Sequence, residues 1–244
     1  MTGARDSAGV PFGGRELTGT GFDHDTGAAD DALSAALAVA AVTSADERTL
    51  MRAVAAARLL VAIVAEPVEV DESGRLAVEK QTDMAAVTLV APDGARALPV
   101  FSSMAALAEW DPSARPVPVT AARAAQAAVS ERCDVMVLDV AGPRAVALRP
   151  SMVWALAQQR EWVPAHEDET VRRALDVAVR HQDGVLAHQV GPGAPGEGVV
   201  HVSLTLRPGL DQATVQAIAT AIGERLATDG EIRARIDGLA FSIS

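Results

Sequence analysis

The segment EKQTDMAAVTLVAPDGARALPVFSSMAALAEW, residues 79–110, decides the fold of the first half of the chain. Within it, the apolar runs AAVTLV and ARALPV flank APDG, and a Pro-Asp-Gly turn between two such runs predicts a β-hairpin. The second run leads through Ser102 and Ser103 into SMAALAEW, which has the pattern of a short helix. The predicted local order is therefore strand, turn, strand and helix, with a serine pair where the second strand meets the helix.

Two other apolar runs predict central strands of a sheet. LLVAIVA at residues 59–65 and DVMVLDV at residues 134–140 are apolar on both faces, as expected for strands that are covered on both sides. Helical patterns lie before them, at residues 30–42, 47–57 and 121–131. Helices that alternate with strands in this way predict an α+β domain built on a mixed sheet.

The segment EWVPAHEDE, residues 161–169, is a polar link with a proline, and it predicts a domain boundary. After it the pattern is helix, strand, strand, helix, strand, with Asp211 as the expected N-cap of the second helix. This α-β-β-α-β order predicts a small sheet with helices on one face. The chain is thus expected to be an α+β protein with a flexible tail at 1–29 and domains at 30–163 and 164–244.

Composition excludes several classes of function. The 244 residues are 49% hydrophobic and carry a formal net charge of -11, so the surface should repel nucleic acids and anionic membranes. Cys133 is the only cysteine, which leaves no intrachain disulfide and no cysteine-based zinc site. The N-terminus lacks the apolar segment of a signal peptide. We therefore expect an acidic cytoplasmic protein without a cofactor.

The serine pair has two interpretations. Ser102 or Ser103 stands where a helix N-cap should stand, and serine is among the best N-caps. The free amides at the helix start could also bind a carboxylate or phosphate. A nucleophile elbow is disfavoured because Phe101 and Met104 are too bulky beside the serines, and the P-loop pattern GxxxxGK[ST] is absent.

The loop EKQTDM brings Lys80 and Asp83 close to the hairpin in sequence. If this loop and the helix start converge, Lys80, Asp83, Ser102 and Ser103 would form a pocket for a small anion. The alternative is a solvated loop with a local pair of lysine and carboxylate, which contributes little. A third reading, an enzyme that uses Lys80, Asp83 and Ser103, is disfavoured, and we expect no catalytic residues.

The histidines could form a metal site only as a larger set. If the hairpin 185–206 is symmetric about its loop, His188 lies opposite His201 on the more polar face. Two histidines make a weak site unless His181 joins them, so we expect a solvated cross-strand pair and no metal.

For two further residues, Cys133 and Asp139, a structural role is the simplest interpretation. Cys133 has no evident histidine partner and is not expected to be a catalytic thiolate. Asp139, near the end of an apolar strand, is either a buried acid or the cap of the turn before Ala-Gly-Pro.

Four segments of the chain resemble the SseB family, the bacterial "enhanced serine sensitivity" proteins. They are GTGFDHDTGAADDAL (19–33), the opening segment extended through DPSARPVPV (79–119), CDVMVLDVAGP (133–143) and PSMVWALAQQREWVPAHED (150–168). The resemblance covers residues 15–165 well and the C-terminal part more loosely. It implies an α+β N-terminal domain followed by a smaller α+β domain, and it brings no established catalytic residues.

Two functions from different classes remain. The expected one is a non-enzymatic cytoplasmic accessory protein that binds a protein partner or a small metabolite. The alternative is a regulator that binds an amino acid or another small carboxylate, as the phenotype in the family's name implies. The last strand of the chain also offers an edge, so a homodimer through that edge is a further expectation.

Overall fold

The computed structural model describes residues 21–40, 47–65, 84–92, 94–194 and 196–243. These residues form two β-sheets, one of seven strands and one of three, and each sheet has its own buried core. The predicted α+β fold in two parts is therefore confirmed. We call the seven-stranded part the larger unit and the three-stranded part the smaller unit.

The larger unit contains a mixed sheet. Its strand order is β2-β1-β4-β6-β7, with β5 beside β1 and β3 beside β4, and only the pair β4 and β6 is parallel. Its elements are α1 (Asp31–Ala40), α2 (Glu47–Ala56), β1 (Arg58–Ala65), β2 (Met84–Ala86), β3 (Leu89–Val90), β4 (Arg96–Phe101), α3 (Met104–Trp110), β5 (Arg115–Thr120), α4 (Ala121–Ser130), β6 (Val135–Leu138), β7 (Val146–Leu148) and α5 (Pro150–Ala157).

The predicted hairpin forms between β3 and β4, where Leu89 lies opposite Ala97. The first predicted strand, AAVTLV, is nevertheless wrong as a single strand. Its first residues form β2, in which Ala86 lies opposite Ile63 of β1, and only its last two form β3. The chain pairs first with β1 and then with β4, because the end of β1 offers backbone hydrogen-bond partners that β4 does not use.

Helices cover both faces of this sheet. Leu59 and Val61 of β1 belong to the core under α1, α2, α4 and α5, whereas Leu60 and Ala62 pack on the other face with Phe101 and the α3 side chain Leu107. Side chains on a strand alternate between faces. A strand covered on both sides must therefore be apolar on both faces, which confirms the prediction for residues 59–62.

The smaller unit has a short sheet with the order β10-β9-β8, in which β10 runs parallel to β9 and β8 antiparallel. Its elements are α6 (Glu169–Arg180), β8 (Val185–Pro192), β9 (Val199–Leu206), α7 (Gln212–Thr228), α8 (Gly230–Arg233) and β10 (Gly238–Ile243). The single turn α8 is absent from the predicted order. The strand β10 lies at an edge of the described sheet, and its pairing with a second copy stays a prediction.

Residues 21–29 are bound to the larger unit, although the sequence places them in a flexible tail. Arg58 contacts Asp25 with 2.7 Å between Nε and Oδ2, and it also donates to the Ala28 carbonyl oxygen at 2.6 Å. The Met104 amide donates to the carbonyl oxygen of Gly27, which has a φ of 78°. This part of the expected tail therefore belongs to the fold, and residues 1–20 lie outside the described residues.

Candidate functional site

The two serines at the start of α3 have different roles. Ser103 is the N-cap, because its Oγ accepts from the Ala106 amide at 3.1 Å. Ser102 is only 5% exposed, and its amide and hydroxyl donate to the two carboxylate oxygens of Asp139 at 2.8 and 2.7 Å. Asp139 follows β6, whose parallel neighbour β4 ends just before Ser102. The N-cap prediction is confirmed for Ser103, and Asp139 ties the ends of two parallel strands together.

The start of α3 has few amides left for an anion. Met104 donates to Gly27, Ala106 donates to Ser103, and the helix has only seven residues. Lys80 and Asp83 lie outside the described residues, so their convergence with Ser102 and Ser103 stays a prediction.

A small pocket of about 270 Å³ lies beside the carboxyl ends of β4 and β6. Ser102, Ser103, Glu109, Asp139 and Arg144 are among its lining residues, and no histidine is. The Asp139 carboxylate in this pocket accepts both the amide and the hydroxyl of Ser102, so its two oxygens are engaged in a hydrogen-bonded junction of the fold.

The predicted histidine pair is wrong. The strand β8 continues to Pro192, so the symmetry point of the hairpin lies further along the chain, and Gly191 lies opposite His201. His188 lies opposite Leu204 and therefore faces the helices, where its Nε2 is 2.9 Å from the Asp176 Oδ1.

The other candidate ligands among the described residues, His181 and Cys133, do not form a metal site either. The Nδ1 of His181 is 2.7 Å from the Val177 carbonyl oxygen of its own helix. No group of three His, Cys, Asp or Glu in the described part of the chain is placed to hold a metal ion. Cys133 is buried in the core of the larger unit, and this burial raises the pKa of its thiol.

An arginine that the sequence analysis did not single out joins three distant segments. Arg149, directly before α5, binds both carboxylate oxygens of Glu47 in α2 at 2.5 and 3.1 Å. Its Nε donates to Asp237 at 3.0 Å, and it donates to the Gly196 carbonyl oxygen at 3.0 Å. Asp237 and Gly196 belong to the smaller unit. Local sequence patterns give no signal for this contact, because Asp237 is 88 positions away.

Three other contacts complete this cluster, which we call the Arg149 clasp. The Ser151 amide and hydroxyl donate to the Asp237 carboxylate at 2.7 and 2.8 Å, and the Trp162 Nε1 donates to the Ser151 hydroxyl at 3.0 Å. Burial acts to lower the pKa of Arg149, but its hydrogen bonds with Glu47 and Asp237 outweigh burial and raise it. Every charged group of the clasp is paired. Because Arg149 and Glu47 belong to the larger unit and Asp237 to the smaller one, these pairs hold the two units together.

A larger pocket, of about 730 Å³, opens between α2, α4 and the end of α5. We call it the α2–α4 groove. Its floor is apolar and is formed by Met51, Ala55, Ala56, Ala122 and Leu156. The polar part of its lining carries the charged residues Arg52, Arg123, Arg160 and Glu161 together with the neutral residues Thr120, Gln126 and Gln159, and we call this part the rim. The groove is larger than the pocket over the Arg149 clasp, which has about 470 Å³.

The rim of the groove is positive in an acidic chain. Arg52 pairs with Glu161 at 2.7 Å, and both side chains are mostly exposed. The Arg123 amide donates to the N-cap Thr120, but its side chain has neither a hydrogen-bond nor an ion-pair partner among the described residues. Arg160 donates to two neutral oxygens, of Gln158 and Ala234. Arginine stays charged at neutral pH, so the groove is lined by three positive groups and one negative group, and Asp168 and Glu231 act on Arg160 from outside its lining.

None of the described helices is both long and apolar enough to cross a membrane. No curated protein and no solved structure matches the chain significantly. The family model of the SseB protein N-terminal domain matches residues 33–155. This match covers just over half of the chain and reaches from α1 into α5, and with it the chain belongs to the SseB family.

Proposed function

We propose that this chain is a non-enzymatic interaction protein of the cytoplasm that binds another protein in the α2–α4 groove. The observation that carries the proposal is an open groove whose floor is apolar and whose rim is charged. Ala55 and Ala56 on the floor are exposed and small, so apolar side chains of a partner can enter the groove and contact them. Helix-in-groove recognition uses surfaces of this kind.

The chemistry of the groove supports binding without catalysis. Its charged rim groups are arginines and one glutamate, and arginine neither gives up nor takes a proton at neutral pH. General acid–base catalysis needs a group whose pKa lies near the operating pH, such as a histidine. No histidine lines the groove.

The metabolite alternative has less support from the geometry. Pockets for small ligands usually have about 300–1,000 Å³ and enclose most of the ligand. The pocket beside Ser102 and Ser103 has about 270 Å³, and two of the first three amides of α3 are bound within the protein. A thermal-shift screen against amino acids and small carboxylates tests this alternative, since a ligand at a hundred times its Kd adds about 2.7 kcal/mol of stability.

Photo-crosslinking at single positions tests the proposed function. A photoreactive residue placed at Ala55 or at Ala122, in cells that express the chain, should give one discrete crosslinked product. The same residue at Ser113, in an exposed turn between α3 and β5, is the control. Equal products from Ser113, or none from the two groove positions, would contradict the proposal.

A groove-filling substitution sharpens the test. Ala55→Phe places a ring over the floor of the groove and should abolish the crosslink from position 122. Ala35→Phe introduces the same side chain at an exposed position of α1 and should leave the crosslink intact. A crosslink that survives Ala55→Phe would place the partner outside the groove.

A further inference from the structure

The charge on the rim of the α2–α4 groove is opposite in sign to that of the whole chain. The chain carries a net charge of -11, whereas Arg52, Arg123 and Arg160 line the groove. Arg52 is paired with Glu161, and Arg160 lies within reach of the charges of Asp168 and Glu231, so Arg123 is the rim cation without an acid beside it among the described residues. Complementary charge at a binding surface steers encounter and selects among partners. An acidic segment is therefore the complement of this rim.

Arg123 makes this argument specific. It occupies the first turn of α4, after the N-cap Thr120, where the helix dipole disfavours a positive side chain. Its side chain is exposed and has no partner among the described residues that would offset this cost. The position instead presents a cation beside a helix start, directly over the groove, where a bound carboxylate would be stabilised.

The floor selects the shape of the partner. Ala55, Ala56 and Ala122 are small, so a helix backbone can approach the surface closely. α2 and α4 have ten residues each, a length of about 15 Å. A partner helix of about three turns would span this surface and present apolar side chains at positions i, i+3, i+4 and i+7.

We propose, on the basis of the proposed function, that the α2–α4 groove binds an acidic amphipathic helix of a partner protein. The apolar face of this helix lies on the floor, and its Asp and Glu side chains pair with Arg123 and Arg160. Nucleic acid, the other common polyanion, is disfavoured because the acidic remainder of the chain repels it.

Three synthetic peptides of about 14 residues test this proposal with the full chain, by fluorescence anisotropy. The first carries Leu at i, i+3, i+4 and i+7 with Glu on the flanks, the second replaces each Glu with Lys, and the third scrambles the first so that it has no apolar face. The first peptide should bind at least about tenfold more tightly than the other two. Its affinity should fall as salt rises, because exposed charges are screened.

Arg123→Glu separates binding from folding. The substitution should weaken binding of the Glu peptide about tenfold, since attraction becomes repulsion. It also creates the sequence Thr120-x-x-Glu, a capping box, so the melting temperature should stay unchanged or rise. Arg115→Glu is the matched control, because the exposed Arg115 side chain has no partner among the described residues and lies away from the groove, and it should change affinity less than twofold.

The outcomes separate this proposal from the proposed function. Equal or tighter binding of the Lys peptide, no binding of the Glu peptide, or unchanged affinity in Arg123→Glu would overturn the acidic helix as the ligand. Crosslinks from Ala55 and Ala122 would in that case still support a protein partner in the groove. If neither the selective binding of the Glu peptide nor the crosslinks from positions 55 and 122 are observed, both proposals are overturned.

Discussion

At the scale of the residue, Asp139 shows how one carboxylate fixes a junction between strands. It accepts from the amide and the hydroxyl of Ser102, which is only 5% exposed. Asp139→Ala would leave both donors without partners, and a buried unsatisfied polar group costs about 1–3 kcal/mol. We expect the free energy of unfolding to fall by about 2–4 kcal/mol in urea titrations.

The exposed turn at Asp111 provides the matched control for Asp139. Asp111 also accepts from the amide and hydroxyl of a serine, Ser113, but there water can replace the lost acceptor. Asp111→Ala should therefore lower the free energy of unfolding much less than Asp139→Ala does. Asp139→Asn keeps one acceptor and tolerates the φ of 51°, so it should fall between the two alanine variants. Similar losses at the two positions would mean that burial of Ser102 is unimportant.

Asp168 should make stability depend on pH. Burial acts to raise its pKa, but hydrogen bonds from Arg235 and from the Thr170 amide together lower it below its usual value. A carboxylate with a lowered folded-state pKa stabilises the fold above its unfolded-state pKa of about 3.9 and loses this effect as pH falls through the folded-state value.

Asp168→Asn should accordingly destabilise the protein by about 1–3 kcal/mol at pH 7, because Arg235 keeps only its bond to Glu231. Asparagine still caps α6, so the N-cap itself is retained. The difference from the wild type should shrink as unfolding is measured toward pH 3 and below. Glu169→Gln, in an exposed ion pair, should change stability by less than about 0.5 kcal/mol at every pH. A difference independent of pH would contradict the assignment.

At the scale of the element, sequence patterns predict the features that depend on residues close together in the chain. The predicted N-caps Ser103 and Asp211 are confirmed, because a cap and the amide it binds are three residues apart. Alternate residues of β9 are buried, because its apolar pattern has the period of a strand. The split of AAVTLV and the register of His188 were missed, because they depend on which distant backbone pairs with the strand and on where a loop begins.

The loop between β8 and β9 gives the prediction at this scale. A Cβ added to Gly198 would lie 2.4 Å from the Arg149 Nε and 2.5 Å from the Asp237 Oδ2, within the Arg149 clasp. Gly196, with a φ of 80°, has open space around it. Gly196→Ala should cost about 1 kcal/mol through its backbone conformation alone, and Gly198→Ala should cost at least twice as much. Equal losses in thermal unfolding would show that the clasp can move aside.

At the scale of the whole molecule, the Arg149 clasp joins two units that have separate cores. Its members come from α2, from the segment before α5, from the β8–β9 loop and from Asp237 before β10. Neither the clasp nor the α2–α4 groove could be predicted from sequence. Both need the relative placement of elements far apart in the chain, which local periodicity does not contain.

The clasp should make the two units unfold together. Arg149→Met removes the charge that binds Glu47 and Asp237 and leaves two carboxylates partly buried and unpaired, and breaking a buried pair in this way costs about 3–5 kcal/mol. We expect the wild type to unfold in one thermal transition and Arg149→Met to unfold in two. The emission of Trp162, which is 4% exposed and lies 5.8 Å from the guanidinium carbon, should change in the earlier transition.

Arg52→Met is the matched control, because it removes an arginine from a largely exposed ion pair with Glu161. Such a pair contributes about 0–1 kcal/mol, so unfolding should remain a single transition near the wild-type temperature. If Arg149→Met also unfolds in one transition, the units are coupled mainly through other contacts, such as the bond from Arg160 to the Ala234 carbonyl oxygen. Two transitions would instead assign the coupling to the clasp, and the groove on α2 would then belong to a unit that folds without the smaller one.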